Sequence, residues 1–487
     1  MSLIKKLAGE TVLYGVSSIL SRLLHFVILL PFFTNVFPTN EYGIVSDLFV
    51  YAGILMIIFT YRMETAYFRY ASRSDDPKHV FSTASLAVIG AVVIFTTLLF
   101  ILLQPIANAL LYPDHPEYIG IVVLIIAFDA LAAIPFAKLR LDNRPLRFAI
   151  IKTLNIIINI IFVFLFLDIL PNAGYDFFAE DKIQYVFIAN LIASSCVLLL
   201  LMPMYQDLSW SFDKTLWKQM FWYAAPLIIV GLAAVINQLI AIPLLKYLLP
   251  GTIDENFSQA GIYSAAAKLA VLMNLFTQAF NYAAEPFFFK NADRTDARQI
   301  YADVAQAFTI VGCIGFLGIL LYLDVIQLIL GKDFRAGLGV VPILLLAYLA
   351  LGLYYNFSIW YKLKDKTHFG AYISLGGMLV TLLINFALIP SPAFGYYGAA
   401  FAAMGCYWFM ALAGYWTGQK YYPIPYPLGR MLLYIAFAVA VYFLCEYFKT
   451  LVGKNLPLVL VFNTLVLITY LGALYLAERK SLKAMLQ

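Results

Sequence analysis

Residues 11–37 read TVLYGVSSILSRLLHFVILLPFFTNVF. The stretch is apolar and long enough to cross a bilayer, which takes about 20 helical residues at about 1.5 Å of rise each. Arg22 sits near its midpoint and His25 about one turn further on. An arginine at the bilayer centre costs roughly 2.5–3.5 kcal/mol on insertion scales. Such a side chain faces a wet cavity or a fixed partner, not lipid. Arg22 therefore either marks a polar interior that meets a ligand, or pairs with a carboxylate or carbonyl and fixes packing. The first reading is the expectation carried forward.

The whole chain has this character. Of its 487 residues, 63% are hydrophobic and 12% charged, against about 25% charged in a soluble domain. Almost no segment between the apolar runs is long enough to form its own core, which excludes a soluble multidomain protein. The net charge of +5 is spread over short loops, so it speaks for topology and against nucleic acid. Cys196, Cys313, Cys406 and Cys445 fall in four different apolar runs, without CxxC or metal spacing. His25, His79, His115 and His368 stand apart from one another, and neither HExxH nor GxxxxGK occurs. Neither a metal nor a resident cofactor is expected. Lys5 and Lys6 precede a run too long for the core of a signal peptide, and no A-x-A site follows it.

Fourteen apolar spans can be drawn, near 11–37, 44–68, 81–111, 117–137, 148–167, 183–204, 219–245, 258–285, 300–323, 340–361, 370–390, 396–418, 428–448 and 457–477. The loops alternate in charge. One set carries clusters such as Arg69, Arg73 and Lys78, then Lys138, Arg140, Arg144 and Arg147. The other set holds only Lys182, Lys246, Lys332, Arg335, Lys449 and Lys454. By the positive-inside rule, both termini are cytoplasmic. Four bases lie within spans: Arg22, Arg62, Lys152 and Lys268. Arg62 and Lys152 are near inner ends, where a long side chain can snorkel, which leaves Arg22 and Lys268 as the stronger pair. Arg62 is two residues from Glu64, so an ion pair competes with a ligand role. Lys268 lies in IYSAAAKLAVLMN, among small residues that suit a helix or cavity face. Pro31, Pro226, Pro243 and Pro342 are candidate bends. Gly312, Gly315 and Gly318 suggest close approach of another backbone.

The chain repeats itself. Span two ends ETAYFRYASRSD (64–75) and span eight ends EPFFFKNADRTD (285–296), each with a carboxylate, aromatics, a base, Ala and a second Arg. RLDNR (140–144) after span four is echoed by KLKDK (362–366) after span ten at nearly the same offset. This implies two six-helix lobes, 1–204 and 205–425, with spans 13 and 14 appended in 426–487. Six is even, so the repeats are parallel, and the cleft between them is the expected substrate cavity.

The sequence resembles the polysaccharide exporters of the multidrug/oligosaccharidyl-lipid/polysaccharide (MOP) flippase superfamily. SSILSRLLHFVILLPFF, EYGIVSDLFVYAGIL, LRLDNRPLRFAIIKTLNIIINII and LKDKTHFGAYISLGGMLVTLLINFALIPSPAFGYYGAA carry the likeness in order. It implies a pair of helical bundles that flip a polyprenyl-diphosphate-linked oligosaccharide to the outer leaflet of a bacterial inner membrane. It also implies a monomer, in contact with membrane lipids, with glycosyltransferases and a polymerase as pathway partners. Arg22, Arg62, His25 and Lys268 would meet the diphosphate, for which the planar guanidinium fork is suited. Asn237, Gln238, Asn274, Gln278 and Asn281 would bind sugar hydroxyls. Alternatively, they make interhelical hydrogen bonds worth about 0.6 kcal/mol each. Ser21-Arg22 matches a feature of the lipid II flippases in the same superfamily, but their second arginine is Ile28 here, which argues against lipid II.

Coupling to Na+, to H+ or to the membrane potential stays open, with Glu64, Asp129 and Glu285 as cation candidates and Asp47 apart from them. A drug/cation antiporter of the superfamily remains an alternative. A major facilitator lacks its loop motif here, because the loop reads YASRSDDPKH. A glycosyltransferase or polymerase would need a sizeable catalytic outer loop, and the longest, DILPNAGYDFFAEDK, is short and has no His. Arg22→Ala is expected to abolish surface glycan export while the protein still inserts. Blotting of membranes together with surface-polysaccharide staining checks this, and normal staining would remove Arg22 from the substrate path.

Overall fold

The computed structural model describes residues 23–175, 181–452 and 455–486, with side chains at 25, 452 and 479–486 left aside. Arg22 and the His25 side chain lie outside the described residues. The first elements labelled among the described residues are a π-helical turn, His25–Leu29, and α1 (Leu30–Val36). Then follow α2 (Thr39–Thr60), α3 (Met63–Ala71), α4 (Pro77–Ile101), α5 (Leu103–Ala109), α6 (Pro116–Leu141), α7 (Pro145–Phe164) and α8 (Lys182–Leu201). Next come α9 (Lys214–Leu239), α10 (Ala241–Leu248), α11 (Ile253–Lys290), α12 (Ala297–Leu321) and α13 (Val341–Phe357). The last are α14 (His368–Leu388), α15 (Tyr397–Tyr421), α16 (Leu428–Val452) and α17 (Leu456–Leu486). The described residues contain no strand. Among the described residues, thirteen helical segments are long and apolar enough to span a membrane, and Phe26–Val36 is a shorter apolar helix. The protein is an all-α, multi-pass membrane protein of roughly fourteen spans.

Local chemistry sets the helix starts. Asp76 precedes Pro77 and accepts from the amides of Lys78 and His79, both at 3.1 Å. Asp213 accepts from Thr215 and Leu216 at 2.8 and 3.0 Å, and Asp181 accepts from Gln184. These carboxylates satisfy amides that the first helical turn leaves open. Of the four candidate bends, Pro31 follows directly on the π-helical turn and Pro342 on a 3-10 helix, Lys332–Val340, so each sits where the helical winding changes. Pro226 lies inside α9, joined by Pro135 in α6 and Pro286 in α11.

By packing, the chain divides between Gly261 and Ile262 into two compact units. In the first, α6 lies against α2, α3, α4 and α8, and α9 packs on α2, α3 and α4. A close backbone crossing joins α2 to the start of α11. A Cβ on Gly43 would stand 2.0 Å from the Phe257 carbonyl oxygen, and one on Gly261 would stand 2.0 Å from that of Thr39. Thr39 Oγ1 and Ser258 Oγ hydrogen-bond across it at 2.6 Å. Small residues thus let two backbones touch, which is how helices associate without a hydrophobic driving force.

In the second unit, α13 packs on α12 and α15, and α14 on α15. Trp360 is fully buried and donates through Nε1 to the Gly414 carbonyl at 3.2 Å. The two appended helices rest on α12. Asn463 donates to the Leu321 carbonyl at 2.5 Å, and Gln306 donates to Glu478 at 2.7 Å. The glycine run on α12 differs from expectation. Gly312 faces the Leu349 side chain, Gly315 faces Met273, and Gly318 faces open space. Side chains, not a second backbone, fill that face.

Gly43→Ala and Gly261→Ala are expected to lower stability by at least about 1–3 kcal/mol, because the methyl must push the facing backbones apart. Gly318→Ala should be neutral or stabilising by about 0.5–1 kcal/mol, because a glycine is lost from a helix interior. Thermal unfolding in detergent checks the contrast.

Candidate functional site

Span two is broken. Tyr61 and Arg62 both take left-handed backbone, with φ of 34° and 60°. For bulky residues this costs on the order of 1–3 kcal/mol each and clusters at functional sites. The break ends α2, starts α3, and turns Arg62 towards α9. There its Nη2 would stand 2.4 Å from a Cβ on Gly231. Gly231 is therefore the space that the guanidinium occupies. Arg62 Nη1 lies 3.7 Å from Glu64, whose carboxylate also feels Arg140. Trp217 Nε1 donates to Tyr61 Oη at 3.4 Å, holding the other half of the break.

The second unit has the counterpart of this charge arrangement. Glu285, equivalent to Glu64, accepts from Lys362 at 2.7 Å, and Lys362 is the repeat equivalent of Arg140. The two short motifs that mark the repeat in sequence thus meet in space within each unit.

The remaining sequence candidates are distributed as follows. Lys268 is half-buried on α11, beside Ala265, Ala266 and Ala270, which are fully buried. Asn274 is buried, and Gln278 donates to it at 3.1 Å along the same helix. Asn281 is half-buried on the same helix. On α9, Asn237 is buried and Gln238 exposed. Asp129 on α6 is half-buried, with Ser194 and Lys152 as its polar neighbours. Lys152 is exposed and sets its Nζ 4.3 Å over the Phe136 ring. All three proposed cation carboxylates, Glu64, Asp129 and Glu285, therefore face a base. Among the described residues, one group has metal-ligand spacing: His115, Glu117 and Asp181, within 4.8 Å. His115 Nδ1 is already 2.8 Å from Glu117, and Asp181 accepts from Tyr118 at 2.8 Å.

Sequence reading missed the most buried ion pair. Lys246, expected in an outer loop, is wholly buried at the end of α10, 2.6 Å from Asp47 on α2. Tyr112 donates to Asp47 at 2.5 Å, and Lys246 also donates to the Leu110 carbonyl at 3.0 Å. The rings of Tyr51, Tyr112 and Tyr247 lie about 5 Å from the ammonium. Asp47 Oδ1 has no partner among the described atoms. The available signal was a carboxylate one turn or two inside an apolar span, which demands a countercharge.

These features define a class: an all-helical, multi-pass protein of two related bundles, with charged side chains placed inside the membrane layer. A family model described as "Polysaccharide biosynthesis protein" matches residues 7–292, and the chain belongs to that family. No curated sequence matches it significantly. Among solved structures, a lipid II flippase MurJ in the inward closed conformation superposes with a TM-score of 0.77 at 14% identity, covering 97% of this chain and 100% of that one. A multidrug-resistance MATE family transporter of the MOP superfamily, inward-facing, gives 0.63 at 12% identity, covering 86% and 99%. The Vibrio cholerae MATE transporter VcmN, in its bent form, gives 0.56 at 14%, covering 88% and 98%. The chain has the fold these proteins share.

Gly231→Ala is expected to destabilise the protein by about 1–3 kcal/mol through overpacking. Adding Arg62→Ala should remove that penalty, because the two side chains compete for one space. A double-mutant cycle on thermal unfolding measures the coupling, and additive effects would place Arg62 elsewhere.

Proposed function

We propose that the protein is a flippase that carries a polyprenyl-diphosphate-linked oligosaccharide, a precursor of O-antigen, capsule or exopolysaccharide, from the cytoplasmic to the outer leaflet by alternating access. The observation that carries this reading is a half-buried base inside a candidate membrane span, Lys268 in Ile253–Lys290, in a chain of the polysaccharide biosynthesis family, with half-buried Arg62 just past the span Thr39–Thr60. An anionic head group must cross hydrocarbon, where an unpaired charge is prohibitive. Bases at depth give it a counter-ion along the way. Arg22 and His25 belong to the same proposed path. Asn237, Gln238, Asn274, Gln278 and Asn281 are its proposed sugar contacts.

In this reading the chain is no enzyme. It acts in a bacterial inner membrane with both termini cytoplasmic, and residues 1–204 and 205–425 are the moving lobes. Coupling by Na+ or H+ at Glu64, Asp129 or Glu285 requires displacement of the base that each carboxylate faces. That requirement also weighs against a cationic drug as cargo, and Ile28 weighs against lipid II.

Proteoliposomes test the proposal directly. A fluorescent polyprenyl-diphosphate oligosaccharide should become accessible to a membrane-impermeant quencher only when the protein is present. Lipid II and a cationic dye run in parallel. Transport of either of these, with none of the oligosaccharide lipid, would overturn the assignment.

A further inference from the structure

The repeat motif at the end of span two has a counterpart at the end of span eight, and the two ends hold their second arginine differently. In the second unit, Arg294 is held in a two-point clamp by Asp296, at 2.8 and 2.9 Å. In the first unit, the equivalent Arg73 forms no ion pair among the described residues, although Asp75 stands at the equivalent place. Arg69, one turn earlier, also forms none among them. Its guanidinium carbon lies over the Tyr223 ring, 4.2 Å from the centroid. Both arginines are exposed.

They open on one cavity of about 360 Å³, walled by Tyr70, Ser74, His79 and Leu216. No carboxylate lines it. Two acids adjoin the lining residues and both are occupied by backbone amides: Asp76, whose own amide donates to Ser74 Oγ at 3.1 Å, and Asp213, which also lies 3.3 Å from His79. Tyr70 is fixed by its hydrogen bond to the Gln219 carbonyl at 3.3 Å. The walls are thus held while the two forks stay open. Around the same helix start, Trp210 is 84% exposed and Trp222 is 66% exposed. Exposed tryptophans mark the depth of lipid head groups. The loop charges assign this end to the cytoplasmic side.

We propose that Arg69 and Arg73 form a recognition site for a lipid-borne phosphate in the cytoplasmic leaflet. Two guanidinium forks offer paired donors that fit phosphate oxygens, and the volume suits a single head group. The phosphate is either that of an anionic bilayer lipid or the diphosphate of a polyprenyl carrier. The site goes beyond the transport reading, because it stands or falls on binding alone.

Native mass spectrometry of the full chain in detergent tests it, with phosphatidylglycerol, polyprenyl diphosphate and phosphatidylcholine as separate probes. One or both anionic lipids should be retained at least about tenfold more strongly than phosphatidylcholine. The Arg69→Gln/Arg73→Gln variant should lose about tenfold or more, as expected for losing charged hydrogen bonds. Retention of phosphatidylglycerol assigns the site to a bilayer head group, and retention of polyprenyl diphosphate alone assigns it to the carrier. Arg73→Gln by itself, beyond the end of α3, gives a reading without disturbing the helix. Arg144→Gln, in another loop of the same side, should change nothing. Binding by the double variant within twofold of the native chain overturns the proposal, as does an equal loss in Arg144→Gln.

Discussion

A charge placed in hydrocarbon must be answered by a countercharge, a dipole or water. That constraint arranges most of the polar chemistry in this protein. Asp47 and Lys246 are both essentially inaccessible and answer each other at 2.6 Å, within a ring of tyrosines. Removing one partner of such a pair typically costs about 3–5 kcal/mol, whereas replacing both by apolar groups is often neutral. The pair ties α10 to α2 and to the loop after α5. It selects an arrangement of helices more than it adds net stability. Glu285 and Lys362 pair at 2.7 Å within the second unit, but with both side chains about a third exposed the pair contributes less.

Arg62 is treated differently. The backbone accepts two left-handed residues in succession, and a glycine on a neighbouring helix yields its side-chain volume, so that one guanidinium lies in α9's flank. Its partner Glu64 is at 3.7 Å, a looser contact than the buried pair makes. The equivalent stretch of the second unit is a continuous helix from Ile253 to Lys290. The repeats have thus diverged at the carboxylate–arginine motif. One end of span two breaks and leaves its arginines open, while the matching end of span eight runs on and clamps Arg294 to Asp296.

The spans were legible in sequence because hydropathy is local, and a 20-residue apolar run has few other readings. The repeat was legible because its motifs are short and ordered, and their contacts explain why: Glu285 meets Lys362. The Asp47–Lys246 pair was not, since its partners stand 199 residues apart. A lysine at a span end reads as a topology signal unless the fold turns it inwards. The α2–α11 crossing was missed for the same reason, because Gly43 and Gly261 are single glycines whose meaning lies in each other. The run Gly312, Gly315, Gly318 advertised a backbone contact by its spacing alone, yet bulky Leu349 and Met273 fill that face.

A flippase of this kind needs the bases at membrane depth to line water instead of lipid. In a background lacking Cys196, Cys313, Cys406 and Cys445, single cysteines at positions 62 and 268 can be treated with a charged, membrane-impermeant thiol reagent. Cysteines at the exposed apolar positions 94 and 383 serve as lipid-facing references. Labelling is predicted at 62 and 268, slowed by a polyprenyl-diphosphate lipid, with none at 94 or 383. Labelling at 62 and 268 as slow as at the reference positions would contradict a hydrated basic path.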